Sequence, residues 1–193
     1  MSYVNLHAHS HYSLLDGFGS PEEIVKRTKE LGYPAAALTD HGVTYGLLEF
    51  YKAGKEHGIK TILGCELYVA PRTRFDKDSK LDVKPYHLTA LARTNEGYQN
   101  LLKLVTKAHL EGFYYKPRVD YDLLREHSKG LIVLSGCLAA NLPRAIMSGD
   151  EAEIKRVIEL HLEIFGKENY FLEVQDQPLN ESQLFVNERL KKL

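Results

Sequence analysis

Two histidines near the start of the chain, His7 and His9, are separated by a single residue. On an extended strand this spacing directs both imidazoles to the same face, where they could bind one metal ion. A purely structural role stays open for the pair alone, with one histidine at a solvated edge and the other hydrogen-bonded in the core. Donors elsewhere in the chain are therefore needed to decide between the two interpretations.

Further residues of metal-binding type follow where other strands are predicted to begin or end. His41 follows the second predicted strand, Glu66 lies in the third, and Cys137 follows the fifth. In parallel α/β folds, ligands gather at the carboxyl ends of strands, and imidazole, carboxylate and thiolate are together the ligands of transition metals. This pattern favours a metal centre over separate structural histidines. The candidate ligands are His7, His9, Asp16, His41, Glu66, His87 and Cys137.

The number of candidate ligands indicates more than one metal ion. Seven ligands exceed the four that a tetrahedral zinc site uses, so we predict two or three ions with bridging carboxylates. Glu66 is the predicted bridge, because a bridging carboxylate needs both of its oxygens at a fixed central place. Centres of this kind suit the hydrolysis of phosphate esters, in which paired ions activate a water and stabilise the leaving oxygen.

The remaining histidines and the second cysteine are predicted to have structural roles. Cys65 is adjacent to Glu66 on an extended segment, so the two side chains point to opposite faces and Cys65 is assigned to the core. His11 continues the alternation of His7 and His9, but the strand is predicted to end before it. The histidines on or beside predicted helices are interpreted as surface or hydrogen-bonded residues: His57, His109, His127 and His161.

Two segments rich in Pro, Tyr and charge, residues 70–85 and 112–120, are predicted to be long surface loops. The first carries basic residues interleaved with aspartates, which indicates a solvated loop. In the second, Lys116-Pro117-Arg118 follows Phe113-Tyr114-Tyr115, and such a set could hold a single nucleic-acid strand by stacking and charge. Packing of these aromatics in the core is the commoner outcome.

Hydrophobic patterning predicts strands that alternate with helices. The predicted strands span residues 3–9, 35–39, 60–69, 86–92, 131–134 and 170–174. The predicted helices span residues 20–32, 47–57, 95–109, 150–165 and 180–193. The first of them begins with a capping pair, Ser20 and Glu23. The alternation favours parallel pairing in an α/β layer or barrel over an antiparallel sandwich.

Length and composition predict one globular domain. The chain has 193 residues, 44% of them hydrophobic and 26% charged, which excludes a disordered chain or a coiled coil. With a net charge of −1, the chain as a whole does not attract a polyanion electrostatically. Contact with nucleic acid must therefore be local or supplied by a partner. Two cysteines without CxxC spacing fit a reducing compartment. With no secretory signal and no apolar run approaching about 20 residues, we expect a cytoplasmic protein without a membrane partner.

Six short motifs, in order along the chain, resemble those of the PHP family, named for polymerase and histidinol phosphatase. They are HAH at residues 7–9, DG at 16–17, TDHG at 39–42, GCE at 64–66, YHL at 86–88 and SGC at 135–137. Residues 50–69, 95–120 and 134–144 resemble more narrowly the amino-terminal PHP domains of bacterial replicative DNA polymerase III alpha subunits. The resemblance covers essentially the whole chain, and the six motifs together are highly specific.

The resemblance implies a distorted seven-stranded β/α barrel whose strand ends hold a trinuclear site of zinc, manganese or iron. All the candidate ligands match family ligands. The family has two more, an Asp and a His in a closing motif after the last helix, and this chain stops before that motif. The expectation is a PHP domain over residues 1–193 that is truncated at its C-terminal end, lacks the closing strand, and is weakly active or inactive by itself.

The resemblance also implies an activity and partners. It implies hydrolysis of phosphodiesters, with 3′-to-5′ removal of nucleotides as a proofreading exonuclease activity within a parent DNA-directed DNA polymerase. The implied partners are the remaining polymerase domains, DNA bound through the parent polymerase, and a separate proofreading exonuclease subunit. Two alternatives stay open: a free-standing phosphatase acting on histidinol phosphate or a nucleotide, and a non-catalytic scaffold that docks the proofreading subunit.

Overall fold

The structure, a computed structural model, describes residues 3–193. They form α-helices that pack against one mixed β-sheet. In chain order the elements are α1 (Pro21–Glu30), β1 (Ala35–Leu38), α2 (Leu47–His57), β2 (Lys60–Val69), β3 (Tyr86–Ala92), α3 (Asn95–Leu110), β4 (Arg118–Val119), α4 (Tyr121–His127), β5 (Leu131–Leu134), α5 (Asn141–Ser148), α6 (Glu151–Phe165), β6 (Tyr170–Phe171) and α7 (Glu181–Leu190). An α/β fold is therefore confirmed.

The sheet is mixed, so the predicted parallel pairing is confirmed for some of the strands and is wrong for β3. The strand order is β1-β2-β3-β5-β6, with β4 paired to β2 off this path. β1 and β2 are parallel, as are β5 and β6, but β3 is antiparallel to both of its neighbours. Parallel neighbours need a crossover that returns the chain to its starting end. Residues 70–85 contain no helix, and they return the chain from β2 directly into an antiparallel β3.

The seven-stranded barrel is not confirmed, because residues 3–193 form six strands in an open sheet. β1 and β6 are the two ends of the strand order and do not pair with each other within these residues. The predicted first strand over residues 3–9 is also wrong. This segment runs beside β1, but only Asn5 forms an isolated bridge, with Ala36. The Thr39 hydroxyl accepts a hydrogen bond from Ala8 N and donates one to Ala8 O, so a side chain takes the place of the backbone partner that a regular strand pair would provide for Ala8 N.

Local sequence signals account for the helices that were predicted correctly. Ser20 caps α1 in a capping box with Glu23, Asp150 caps α6, and α2 ends where Gly58 adopts a left-handed conformation with φ of 72°. Two helices, α4 and α5, were not predicted, and α7 ends at Leu190 rather than at the last residue. In the part of the chain that the structure describes, none of the helices has the length and apolar character needed to span a membrane.

The main core lies between one face of the sheet and helices α3, α4 and α6. Leu104, Leu124 and Phe165 from these helices pack with Cys65 and Val133 from the strands. Because side chains alternate along a strand, the neighbours of these strand residues point to the opposite face. That opposite face is not covered by α3, α4 or α6, and it forms the floor of the cavity described below.

The loop over residues 112–120 is not wholly a surface loop, because Arg118 is fully buried. The Arg118 guanidinium donates hydrogen bonds to the carbonyl oxygens of Gly112, Asp82, Arg74 and Asp76 at 2.7–3.2 Å. These bonds hold the end of the loop against residues 70–85. Arg118 is therefore a structural cation and is not available to a nucleic acid.

Candidate metal centre

The buried side chain of Asp40 holds the loop that begins after His9 and carries Asp16. Asp40, 1% exposed, accepts hydrogen bonds from Ser10 N at 2.7 Å, Ser10 Oγ at 2.8 Å and Ser13 Oγ at 2.7 Å. The loop after His9 is thereby held against the end of β1, where His41 follows. No role was predicted for Asp40, although its position directly after a buried strand is the same signal that identified His41.

Glu66 lies at the middle of the candidate site and is buried, with 1% of its surface exposed. Its backbone N–H donates to the carbonyls of Thr39 and Asp40 at 3.2 and 3.1 Å, and its own carbonyl accepts from Gly42 N at 2.9 Å. These bonds lock β2 to the turn that follows β1. The Glu66 carboxylate is consequently held in one place by the backbone on both sides of it.

The two oxygens of Glu66 face different candidate ligands. Oε2 lies 3.1 Å from His7 Nε2, His9 Nε2 and His41 Nδ1. Oε1 lies 2.9 Å from His87 Nδ1 and 3.5 Å from Cys137 Sγ. A carboxylate with separate partners on each oxygen has the arrangement expected of a bridge between two ions.

Asp16 completes the set from a loop at the mouth of the site. Its Oδ2 lies 2.8 Å from His41 Nε2 and 3.8 Å from His9 Nε2, and its side chain is half exposed. The loop turns so tightly that a Cβ on Gly17 would lie 1.9 Å from the Ser10 carbonyl oxygen, which explains why glycine follows Asp16.

The structure brings all seven sequence-predicted residues together at one end of the sheet. Three overlapping groups of three have ligand atoms that lie within 4.8 Å of one another. These groups are His7, His9 and Glu66; His9, Asp16 and His41; and His41, Glu66 and His87. Their role as metal ligands stays a prediction, which the geometry supports.

Glu173 is a member of the site that sequence reasoning missed. Its Oε1 lies 2.6 Å from His7 Nδ1, and its side chain is 9% exposed. A carboxylate on Nδ1 fixes the tautomer of an imidazole, so that Nε2 faces the metal with its lone pair. The signal was present, since Glu173 lies near the end of the last predicted strand, residues 170–174. That strand is shorter than predicted, and Glu173 lies just beyond it.

Replacing Glu173 by alanine is expected to weaken zinc binding by about tenfold to a hundredfold, because His7 loses the group that orients it. Glu173→Gln keeps an oxygen acceptor and should lose less. Competition with a fluorescent zinc chelator measures both affinities, and Glu168→Ala, at an exposed glutamate, is the matched control. If Glu173→Ala binds zinc as tightly as this control does, Glu173 does not position His7.

The electrostatics of the site favour bound cations. Burial opposes ionisation of Glu66, yet hydrogen bonds from His7, His87 and His9 hold its pKa far below the usual range. Burial alone would lower the pKa of His7, but hydrogen bonds to Glu173 and Glu66 outweigh it and raise this pKa to about 10. The carboxylates therefore remain charged and hold positive charge beside them.

The donor set fits divalent transition metals. His41 Nδ1, although 3.1 Å from Glu66 Oε2, is buried without a hydrogen bond of acceptable geometry among the described residues, and so is Glu173 Oε2. Two ligands at about 2.1 Å from a tetrahedral ion lie about 3.4 Å apart, close to the 3.1 Å that separates each imidazole from Glu66 Oε2. Burial and the Glu66 carboxylate raise the pKa of Cys137 to about 12, so its thiol would ionise only beside a cation.

The candidate ligands lie at one end of an open cavity of about 1050 Å³. Its floor is the uncovered face of the sheet and is apolar, with Ile62, Leu91, Ile132 and Leu134. This space could accommodate the organic part of a phosphate ester while the polar end meets the phosphate.

The residues that were predicted to be structural lie outside this arrangement. Cys65 is fully buried in the main core, as predicted. His161 is also buried, with its Nδ1 3.0 Å from the Tyr170 hydroxyl, and burial lowers its pKa to about 4. His57 is paired with Glu22 on the surface of α1 and α2. None of these groups lines the cavity.

Curated relatives of this chain include DNA polymerase III alpha subunits of bacteria. DNA polymerase III alpha subunits from Treponema pallidum, Chlamydia pneumoniae and Thermus aquaticus are 50%, 44% and 45% identical to this chain over 182, 194 and 197 residues. The matches cover 94–99% of this chain but 16% of each relative, so the chain spans about one sixth of their length.

The fold has a counterpart among solved structures. A structure from Bifidobacterium adolescentis, assigned as a metal-dependent phosphoesterase, aligns with a TM-score of 0.55 over 98% of this chain and 84% of that one. At 16% identity this likeness shows the fold alone. A family model described as the PHP domain matches residues 5–177, and the chain therefore belongs to the PHP domain family.

Proposed function

We propose that this chain is the PHP domain of a bacterial DNA polymerase III alpha subunit and that its metal centre hydrolyses phosphodiester bonds. The observation that carries the proposal is the Glu66 carboxylate, buried at the mouth of an open cavity with imidazoles or a thiol on each oxygen. Residues 1–193 form one domain in this proposal. A free-standing phosphatase is less well supported, because relatives at 41–50% identity are polymerase subunits.

Two or three divalent ions, with zinc, manganese or iron as the candidates, would occupy the overlapping groups of ligands. His7 and His9 with Glu66 Oε2 would hold one ion, and His87 and Cys137 with Glu66 Oε1 another. Asp16 and His41 would hold a third ion. When bound, such ions supply a water nucleophile at neutral pH and stabilise charge on the phosphate oxygens.

The protein residues orient these groups and shape the space for the substrate. Glu173 keeps the proton on His7 Nδ1, and Asp40 holds the loop that follows His9. The half-exposed Asp16 lies where a substrate must enter. The apolar floor of the cavity would contact the sugar and base of a nucleotide and exclude water from them.

In this proposal the domain acts beside the other domains of the polymerase subunit, which bring DNA to it. Removal of nucleotides from a 3′ end would then be a proofreading exonuclease activity. A separate proofreading exonuclease subunit would dock on the same parent protein.

The proposal is tested with bis(p-nitrophenyl) phosphate, a model phosphodiester, and the alpha subunit that contains this chain. We expect hydrolysis with zinc or manganese, and its loss on chelation. His9→Ala should lower the rate by about a hundredfold, or about 3 kcal/mol of transition-state stabilisation, whereas His57→Ala on the surface should not change it. A subunit that retains its metal but hydrolyses no phosphodiester would overturn the catalytic role and favour a scaffold.

A further inference from the structure

The loop between α3 and β4 exposes aromatic side chains next to the candidate metal centre. We call residues 113–116 the aromatic loop. Phe113 is 53% exposed and Tyr115 is 68% exposed, so these rings are not packed in the core. Lys116 is also exposed. Exposed rings beside a cation form a surface on which a base could stack next to a charge for its phosphate.

The aromatic loop is connected to the metal centre through one ring. Lys116 Nζ lies 5.4 Å from the centroid of the Tyr68 ring. The aromatic contacts of Tyr68 are with candidate ligands: its ring stacks on His41 at 5.7 Å and meets His87 edge-on at 5.1 Å. Pro117 packs close to Gly42, the residue after His41. The Tyr68 ring therefore separates Lys116 from the candidate ligands His41 and His87.

Backbone strain marks the same loop. Tyr115 has a φ of 58°, a left-handed conformation that residues other than glycine rarely adopt. The loop is held in this form by a hydrogen bond from Tyr114 N to Lys116 O at 3.0 Å. Over residues 3–193, Leu15 is the other non-glycine residue with positive φ, and it directly precedes Asp16. Strained residues of this kind are concentrated at functional sites.

Lys116 also differs from the arginines nearby. Arg72 is paired with Asp82, and Arg74 with Asp120 and Glu111. For Lys116, no carboxylate of the described residues lies within 4.0 Å of the ammonium group. Its charge is thus free to meet an external anion.

We propose that the aromatic loop binds a single-stranded polynucleotide whose phosphodiester lies at the metal centre. The Tyr115 ring stacks on a base, Phe113 extends the apolar surface, and the Lys116 ammonium pairs with a neighbouring phosphate. Stacking platforms beside cations are how proteins hold single strands without reading their sequence. The inference rests on the proposed function and assigns residues 113–116 as the part of the chain that binds the strand; a small phosphate monoester has neither a second base nor a second phosphate to contact them.

The test is the binding of a fluorescent phosphorothioate oligothymidylate of about ten residues to the 193-residue chain in the presence of manganese. Phosphorothioate linkages slow hydrolysis, and recovery of the intact oligonucleotide after each titration establishes that fluorescence anisotropy reports binding alone. We expect Tyr115→Gly to weaken binding about tenfold, since glycine suits the left-handed backbone but removes the ring. Tyr115→Phe should restore it. Lys116→Ala should also weaken binding and reduce the slope of log affinity against log salt by about 0.7.

A matched control is present on α2, where Lys55 Nζ lies 5.4 Å from the Tyr51 ring, the same geometry as Lys116 and Tyr68. Tyr51→Ala and Lys55→Ala should bind the oligonucleotide as the parent does. Thermal unfolding of each variant confirms that it is folded.

The outcomes separate this inference from the proposed function. Equal binding by Tyr115→Gly and the parent, or no binding by the parent, overturns the polynucleotide site. A duplex of the same length that binds as well as the single strand also overturns it. If binding depends on Tyr115 and Lys116 but the alpha subunit hydrolyses no phosphodiester, the inference stands and the catalytic proposal fails.

Discussion

Replacing Glu66 by alanine is expected to remove most of the metal from the protein. Both oxygens of this carboxylate face candidate ligands, so one substitution takes a ligand from every ion that Glu66 would bridge. The imidazoles that remain are too few for tetrahedral coordination of each ion. We expect the metal content, measured by elemental analysis after dialysis with zinc or manganese, to fall from two or three ions per chain to about one or fewer.

The matched control for this experiment is Glu22→Ala, since Glu22 is exposed and paired with Lys26 on α1. Glu66→Gln is a second variant that keeps the shape of the side chain and one carbonyl oxygen, and it should show an intermediate loss. Circular dichroism establishes that each variant is folded. Equal metal content in Glu66→Ala and the parent would refute the assignment of Glu66 as a ligand.

Replacing Arg118 by methionine is expected to lower the free energy of unfolding by about 3–5 kcal/mol. The guanidinium is fully buried, and its loss would leave the carbonyl oxygens of Asp82, Arg74 and Asp76 without their donor, while Gly112 would keep only the hydrogen bond from the backbone N–H of residue 118. Each buried unpaired group costs about 1–3 kcal/mol, and entry of water would offset part of the sum. Urea unfolding measures the effect.

Arg125→Met is the comparison, because Arg125 forms an exposed ion pair with Glu163 and should contribute less than about 1 kcal/mol. A decrease of under 1 kcal/mol for Arg118→Met would show that the loops reorganise without it. Loss of stability without loss of metal content would locate the role of Arg118 in the fold rather than in the centre.

Local sequence patterns predicted the elements whose ends are set by local signals. The predicted bounds of α2 and β3 agree with the structure, since Gly58 ends the first and the apolar run 86–92 defines the second. Strand direction could not be obtained in this way. Whether β3 runs parallel or antiparallel to β2 depends on how residues 70–85 fold back, and Arg118 holds that segment from another part of the chain.

The candidate site shows the same division between local and long-range information. His41 and Cys137 were proposed from residue type and position after a strand, and the structure places them together because strand ends converge in space. His7 was proposed by the same rule and lies beside them, although the strand predicted for it does not form. Glu173 was missed because its partner, His7, is 166 residues away along the chain. Arg118 was considered for nucleic-acid contact with Lys116 two residues before it, and only burial distinguishes the two cations.

Anomalous X-ray diffraction from crystals grown with manganese or zinc locates the ions directly. We expect at least two anomalous peaks, each about 2.0–2.4 Å from an oxygen of Glu66 or an imidazole nitrogen of the candidate ligands. One peak should lie on the His7 and His9 side of the carboxylate and another on the His87 and Cys137 side. Peaks bound only by surface carboxylates, or no peak beside Glu66 in crystals that contain the metal elsewhere, would contradict this expectation.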